Sequence, residues 1–393
     1  MDIISEKSLN LCKKEPVMND IILPGLSIGP HTAQYPIIQG GMGVGISLSG
    51  LSSAVAEQGG IGVISAVGIG MLEETGKKQN ITKANQTALA REIRAAREKT
   101  DGIIGCNIMV ALSDYFGLVS TALDEKIDIL FLGAGLPLHF PKTVTPEQIK
   151  FGHTRFVPII SSARALDLIF KYWDRKYKTI PDAVVVEGPM AGGHLGFKPS
   201  QIHDPAYSLE SLLEEVLSMA DSWAQTYGRD IPVIAAGGIY TGADIHRMIS
   251  MGASGVQMGT RFVATAECDA DIQFKKSYIQ AEKDDITIIN SPVGLPGRAI
   301  QNRFLLQAAA GARHPFSCPW KCLKTCDFRT SPYCIARALT NARYGDVENG
   351  FVFAGENAWR VDSIITVKEL FSALRSEYID AVFSASETSA AYV

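Results

Sequence analysis

Short runs of apolar residues, apolar at nearly every position, recur along the chain at 35–39, 61–65, 103–109, 127–132, 155–160, 182–187, 232–235 and 255–259. Segments between them carry helical periodicity, most clearly 51–58, 84–99, 163–173, 209–227 and 243–251. A strand that is apolar on both faces belongs to a parallel sheet covered by helices. Eight such units in series predict an α/β fold, a closed (β/α)8 TIM barrel rather than an open doubly wound sheet.

After Phe262 the rhythm changes. The pattern predicts a helix over 267–283, a short strand over 286–289, a Pro- and Gly-rich stretch over 291–297, a Gly-containing loop over 345–362 and a final helix over 367–376. The small, polar tail 384–393 is expected to fray. This divides the chain into a barrel with an N-terminal extension (1–284), an inserted or appended cap subdomain (285–345) and a C-terminal segment returning to the barrel (346–393). No internal repeat is present.

The 393 residues are 46% apolar, enough for a sizeable core, and the net charge of −4 leaves no electrostatic footprint for nucleic acid. Residues 1–17 interleave Asp2, Glu6, Lys7, Lys13 and Lys14 with short apolar stretches, unlike a secretory signal. No run approaches the roughly 20 apolar residues that span a bilayer. The expectation is a cytoplasmic enzyme with a small-molecule substrate and no nucleic-acid or membrane partner, compatible with a homo-oligomer.

Three loops carry candidate chemistry. The segment IPVIAAGGI (231–239) ends a strand in Gly237-Gly238, and Thr241 with Asp244 reads as a helix cap. The next strand ends in Gly259-Thr260-Arg261. Glycines there either make tight βα turns or let backbone N–H groups approach a phosphate; two adjacent strands with the same feature favour phosphate. The segment EGPMAGGHLG (187–196) places His194 behind a glycine pair at a strand's C-terminal end, as a catalytic or a structural histidine. Glu187 closes an apolar strand, where a carboxylate is costly without a partner, or caps a loop. QGGMGVG (39–45) allows close approach of something flat but does not complete a dinucleotide fingerprint. Asn107 either hydrogen-bonds a flavin edge or satisfies nearby backbone.

Of seven cysteines, Cys12, Cys106 and Cys268 are scattered, whereas Cys318, Cys322, Cys326 and Cys334 are clustered. A disulfide framework is not expected in a cytosolic chain. On a helix, positions i, i+4 and i+8 share one face, so three thiolates would converge, with Pro319 in the first turn. Four thiolates suit a [4Fe–4S] cluster or a tetrahedral zinc, although the spacing matches neither the ferredoxin run nor a zinc ribbon; reduced, unliganded cysteines are the third reading.

Taken in order, PIIQGGMGVG, GCNIMVAL, FLGAG, EGPMAGGHLG, IPVIAAGGI and QMGTRF, with GDVENGFVFAGENA near the C-terminus, resemble the nitronate monooxygenase family. They resemble its sibling, the flavin-dependent enoyl-acyl-carrier-protein reductases, equally well. The resemblance implies a barrel with one FMN at the C-terminal face. By motif position, FMN contacts fall on Gly41, Met42, Asn107, Glu187, Gly192, Gly238, Gln257, Met258, Gly259 and Thr260, and His194 matches the active-site histidine. Glu187 and the QGGM loop look more like the acyl reductases; the cysteine cluster is absent from their usual pattern. The first reading is oxidation of alkyl nitronates through FMN with oxygen. The alternatives are an NAD(P)H-dependent enoyl-thioester reductase, and a flavin and iron–sulfur redox sensor or electron-transfer protein without turnover.

Overall fold

The computed structural model describes residues 23–72, 80–312, 318, 320–324 and 326–390, with side chains to 386. The N-terminal stretch, Cys12 and Pro319 lie outside the described residues.

The chain opens with an antiparallel hairpin, β1 (Leu26–Ile28) and β2 (His31–Ala33). The barrel then runs through β3 (Ile37–Gln39), α1 (Ser49–Glu57), β4 (Gly62–Ser65), α2 (Ile81–Arg97), β5 (Ile104–Met109), α3 (Tyr115–Asp124) and β6 (Ile129–Gly133). It continues with α4 (Pro146–Phe151), β7 (Arg155–Ile160), α5 (Ala163–Tyr177), β8 (Val184–Glu187), a two-residue strand β9 (Gly193–His194) and α6 (Leu209–Tyr227). The last two barrel strands are β10 (Val233–Ala236), followed by α7 (Gly242–Ser250), and β11 (Gly255–Met258), followed by α8 (Thr260–Val263). All eight barrel strands are parallel, in the order β3-β11-β10-β8-β7-β6-β5-β4. A parallel bridge between Ile38 and Ile61 joins β3 to the start of β4 and closes the cylinder. The expected TIM barrel is the observed fold.

The reason the strands are apolar on both faces is now visible. Ile38, Val63, Ile129, Phe131, Val157, Val185, Ile234 and Ala236 pack together inside the barrel. Their neighbours Ile37, Ile64, Leu130, Leu132, Phe156, Val184, Val186, Val233 and Ala235 face the helices in a second, larger cluster. Leu26, Ile28 and Ala33 of the hairpin join the inner cluster beside Ile61 and Ala183, plugging the end where the strands begin. Local caps punctuate the helices: Ser162 accepts from Ala165 N, Ser208 from Ser211 N, and Gly228 ends α6 in the left-handed region.

Beyond the barrel come α9 (Ile272–Gln280), β12 (Ile286–Asn290), β13 (Pro296–Ile300), α10 (Arg303–Ala309), α11 (Ile335–Arg343), β14 (Val352–Phe353) and α12 (Val367–Ala390). Strands β12, β13 and β14 pair antiparallel, and β13 also pairs with β9, so this layer is stitched to the barrel loop that carries His194. Ala299, Phe304, Leu305, Tyr333, Ile335, Ala338 and Phe351 form its own small core. Helix α12 returns against α7, where Gly242 N donates to Glu377 at 2.7 Å. No helix among the described residues is long and apolar enough to cross a membrane.

Several expectations need correction. The helix expected over 267–283 is confined to Ile272–Gln280, because Asp271 caps it by accepting from Gln273 N. Of the tail expected to fray over 384–393, Ser384 to Ala390 is helical, since no Gly or Pro interrupts α12, and 391–393 lie outside the described residues. The cysteine segment is not the helix that its four-residue spacing suggests: its described residues form bridge, turn and loop, and only at Cys334 does a helix begin.

Phe131 is fully buried and lies inside the barrel. Phe131→Ala is expected to destabilise the protein by roughly 3–5 kcal/mol, read as a lower urea midpoint at unchanged slope. A shift below about 1 kcal/mol would mean that the inner cluster is not close-packed there.

Candidate active site

One cavity of about 330 Å³ opens at the C-terminal ends of the barrel strands, under the β12–β14 layer. Gly41, Met42, Asn107, Glu187, Gly192, His194, Gly238, Gln257, Met258, Gly259 and Thr260 all line it. Residues from Gly41 to Thr260 are brought to one surface because each lies in the C-terminal half of a barrel strand or in the loop after it.

The loop after β3 is braced from below. Gln39 is fully buried; its amide accepts from Val63 N at 3.0 Å and donates to the carbonyl of Gly40. Farther along, Met42 N donates to Ser47 Oγ at 2.9 Å. The capping box at the start of α7 is formed as expected: Asp244 N donates to Thr241 Oγ1, and Thr241 N to Asp244 Oδ2. Just before that box lie Gly237 and Gly238, whose φ values of 93° and 88° suit glycine. A Cβ on Gly237 would also sit 2.8 Å from the carbonyl oxygen of Gly188.

His194 lies half-buried beside the cavity, its Nε2 2.7 Å from Ser291 Oγ and its ring edge-on to Phe353 at 5.0 Å. Burial pushes its pKa down to about 4, so the imidazole is neutral at pH 7. Burial pushes Glu187 up to about 7, with no compensating partner. The two groups are moved toward their neutral forms by the same cause, and Glu187 is the one that titrates near neutrality. Ser65 Oγ, also on the cavity wall, is buried with no hydrogen-bond partner. An orphaned hydroxyl, an amide at Asn107 and glycine loops with room for an anion are what a polar, flat, phosphorylated cofactor requires.

Residues beyond the motifs hold this arrangement together. Arg298, 2% exposed, donates through Nη1 to the carbonyl oxygens of Pro189 and Ala191 (2.8 Å for the latter), and its Nε pairs with Glu356 at 2.8 Å. Asn357 Nδ2 donates to the carbonyl of Gly238 at 2.7 Å. Gly192 abuts the backbone of Ala354 and Gly355, leaving no room for a Cβ. Nothing in the local pattern around Arg298 or Ser291 marks them; the only signal was the FAGENA stretch, which holds Glu356 and Asn357.

The four clustered cysteines lie elsewhere. Cys318, Cys322, Cys326 and Cys334 border a separate cavity, and Cys322 alone of the four also lines the first. All four are free thiols. Burial, and then the neighbouring Cys334, Cys318 and Cys326, push the Cys322 thiol up to about 12.

The nitronate monooxygenase family model matches residues 26–377. A probable nitronate monooxygenase of Staphylococcus aureus is 27% identical over 304 residues, covering 69% of this chain and 77% of that protein. A (3aS,4S,5R,7aS)-5-hydroxy-7a-methyl-1-oxo-octahydro-1H-indene-4-carboxyl-CoA dehydrogenase of Mycobacterium tuberculosis is 26% identical over 280 residues, covering 71% of this chain and 67% of its own length. Among solved structures, FabK from Thermotoga maritima superposes with a TM-score of 0.69 at 26% identity, over 92% of this chain and 96% of that one.

The raised Glu187 carboxyl makes a prediction about stability. Its folded pKa, about 7, exceeds the ordinary value of 4.5, so its contribution is intact below about 4.5 and is lost as pH rises through 7. Glu187→Gln should therefore gain stability over the parent protein by roughly 2 kcal/mol more at pH 8 than at pH 5, in cofactor-free protein unfolded with urea. An equal difference at the two pH values would show that Glu187 is ordinarily ionised.

Proposed function

This chain belongs to the nitronate monooxygenase family and is an FMN-dependent oxidoreductase of that type, and we propose that its cavity oxidises an alkyl nitronate with oxygen as the final acceptor. The observation that carries the proposal is the convergence of the β10 and β11 glycine loops, Asn107, Glu187 and His194 on one cavity. FMN, when bound, supplies electron transfer at N5 of its ring system.

In this reading Gly238, Gly259 and Thr260 hold the phosphate through backbone N–H groups. Gly41, Met42, Gly192, Gln257 and Met258 pack around the ring, where glycine permits close approach, and Asn107 meets its polar edge. Glu187 holds a proton near neutrality at the cavity wall. His194, kept neutral by burial and oriented by Ser291, hydrogen-bonds the anionic substrate. A neutral imidazole of such low basicity is better suited to orienting an already ionised nitronate than to abstracting a carbon-bound proton.

The second reading is an NAD(P)H-dependent enoyl-thioester reductase. It is favoured by Glu187 and the QGGM loop, and by the Mycobacterium tuberculosis relative, which is named for an acyl-CoA substrate. Cys318, Cys322, Cys326 and Cys334 enter either reading as ligands of an iron–sulfur group.

The test is anaerobic mixing of the FMN-loaded protein with an alkyl nitronate, NADH, NADPH or an enoyl thioester, following flavin absorbance. The proposal expects bleaching by the nitronate and recovery on admitting air. Bleaching by NAD(P)H but not by nitronate would replace it with the second reading, and bleaching by none would indicate a sensor. His194→Ala is expected to retain FMN yet slow the substrate-driven bleaching by roughly 10²-fold; an unchanged rate would assign His194 to structure alone.

A further inference from the structure

The second cavity, of about 390 Å³, is lined by the four clustered cysteines together with Leu323, Tyr333 and Ile335. Its position is set by backbone pairing. Ser113 N donates to Cys322 O at 3.0 Å, Lys324 N donates to Ala111 O at 3.1 Å, and Leu112 bridges Leu323 antiparallel. The cysteine loop is thus pinned to the segment that follows β5, the strand bearing Asn107. On the other side Cys334 occupies the N-cap of α11. Cys322, Leu323, Ile335 and Ala336 line both cavities. One layer of side chains therefore separates the cysteines from the proposed flavin site.

We infer that Cys318, Cys322, Cys326 and Cys334 bind a [4Fe–4S] cluster that exchanges electrons singly with FMN across this shared wall, an inference that rests on the flavin reading above.

The arrangement of the thiols separates this from the other readings. A tetrahedral zinc with Zn–S of about 2.3 Å gathers its four sulfurs to roughly 3.8 Å from one another. Among the described residues the one set of three ligand atoms within 4.8 Å is His31, Asp128 and His153, at the opposite end of the barrel, so no three of these thiols are gathered that closely. A cubane binds each thiolate to a different iron, so its ligands stand farther apart than those around a single zinc, and all four cysteines line this one cavity. The free state of all four cysteines argues against a disulfide pair. The site is also electrically suited: a 2+ core with four thiolates is negative, and the exposed Lys321, Lys324 and Arg329 line the cavity with one exposed acid, Asp327.

The electron count closes with an external donor. An acidic one-electron carrier protein, which the basic rim fits, is oxidised and reduces the cluster by one electron. The cluster passes that electron to FMN and returns to its oxidised state. Two such passages, with one proton taken up from solvent, yield two-electron-reduced FMN. A flavin that would otherwise depend on a two-electron reductant is thereby opened to one-electron carriers.

The experiment uses the full chain purified anaerobically, with FMN, iron, acid-labile sulfide and zinc measured on the same sample. The inference expects about four irons and four sulfides per chain, and loss of most iron with retention of FMN in Cys326→Ser and Cys334→Ser. Reduced methyl viologen, a one-electron donor, should then reduce the flavin about tenfold or more faster in the parent protein than in Cys326→Ser. FMN-replete protein with less than one iron per chain, or with zinc instead, would overturn the cluster. Equal flavin reduction in parent and variant would overturn its connection to FMN. Iron and sulfide without FMN would overturn the flavin reading and the electron transfer with it, while supporting the cluster.

Discussion

The site depends on a charge buried where three segments meet. Arg298, on β13, holds two carbonyl oxygens of the loop between Glu187 and His194 and pairs with Glu356 in the stretch after β14. That stretch in turn holds the Gly238 carbonyl through Asn357. A guanidinium in a nearly dry place is costly to bury and more costly to remove, because its loss leaves the Pro189 and Ala191 carbonyls without the donor that holds them. Its planar, forked geometry fits this task in a way that a lysine does not. Through it, the loop that bears His194 and the loop proposed to hold phosphate belong to one rigid unit.

The same burial that makes Arg298 effective explains the electrostatics of the cavity. Glu187 and His194 carry opposite charges when ionised, yet each is pushed toward neutrality because the wall offers neither a counter-ion. A largely apolar cavity whose few polar groups include Asn107, Glu187, His194, Gln257 and backbone amides suits a ligand that brings its own dipoles and its own phosphate. The Ser65 hydroxyl without a partner is part of this picture. Such a site is stabilised by what it binds, so FMN is expected to contribute to the stability of the fold as well as to its chemistry.

The barrel was legible because its signal is local and repeated. Runs such as Val184–Val186 are apolar at every position, since one side faces the barrel interior and the other the helices, and only a covered parallel sheet makes that demand. The glycine loops and His194 were legible for a related reason: each directly follows a strand, and the topology alone carries them to one end. The β1–β2 plug, the short helices α3 and α4, and the sheet joining β9 to β13 were not. They owe their form to partners distant in sequence, such as Gly297 opposite His194. Arg298 and Ser291 escaped for that reason as well. The cysteine segment misled in a different way. A spacing of four suggested a helix, but the loop pairs with Ala111 to Ser113 of the barrel, and tertiary contact overrides local periodicity.

The central claim is that FMN sits with its phosphate against the β10 and β11 loops, and Gly259 offers the sharpest test of it. Its φ of −120° is outside the left-handed region, and an added Cβ would meet only Met42, at 3.5 Å, an ordinary contact. Gly259→Val should therefore fold normally while placing its methyl groups where the phosphate belongs. Titrating FMN into apoprotein, by quenching of flavin fluorescence, should show a Kd raised by about 100-fold or more, equivalent to roughly 2.7 kcal/mol, at an unchanged Tm of the apoprotein. FMN binding as tight as in the parent protein would contradict the account.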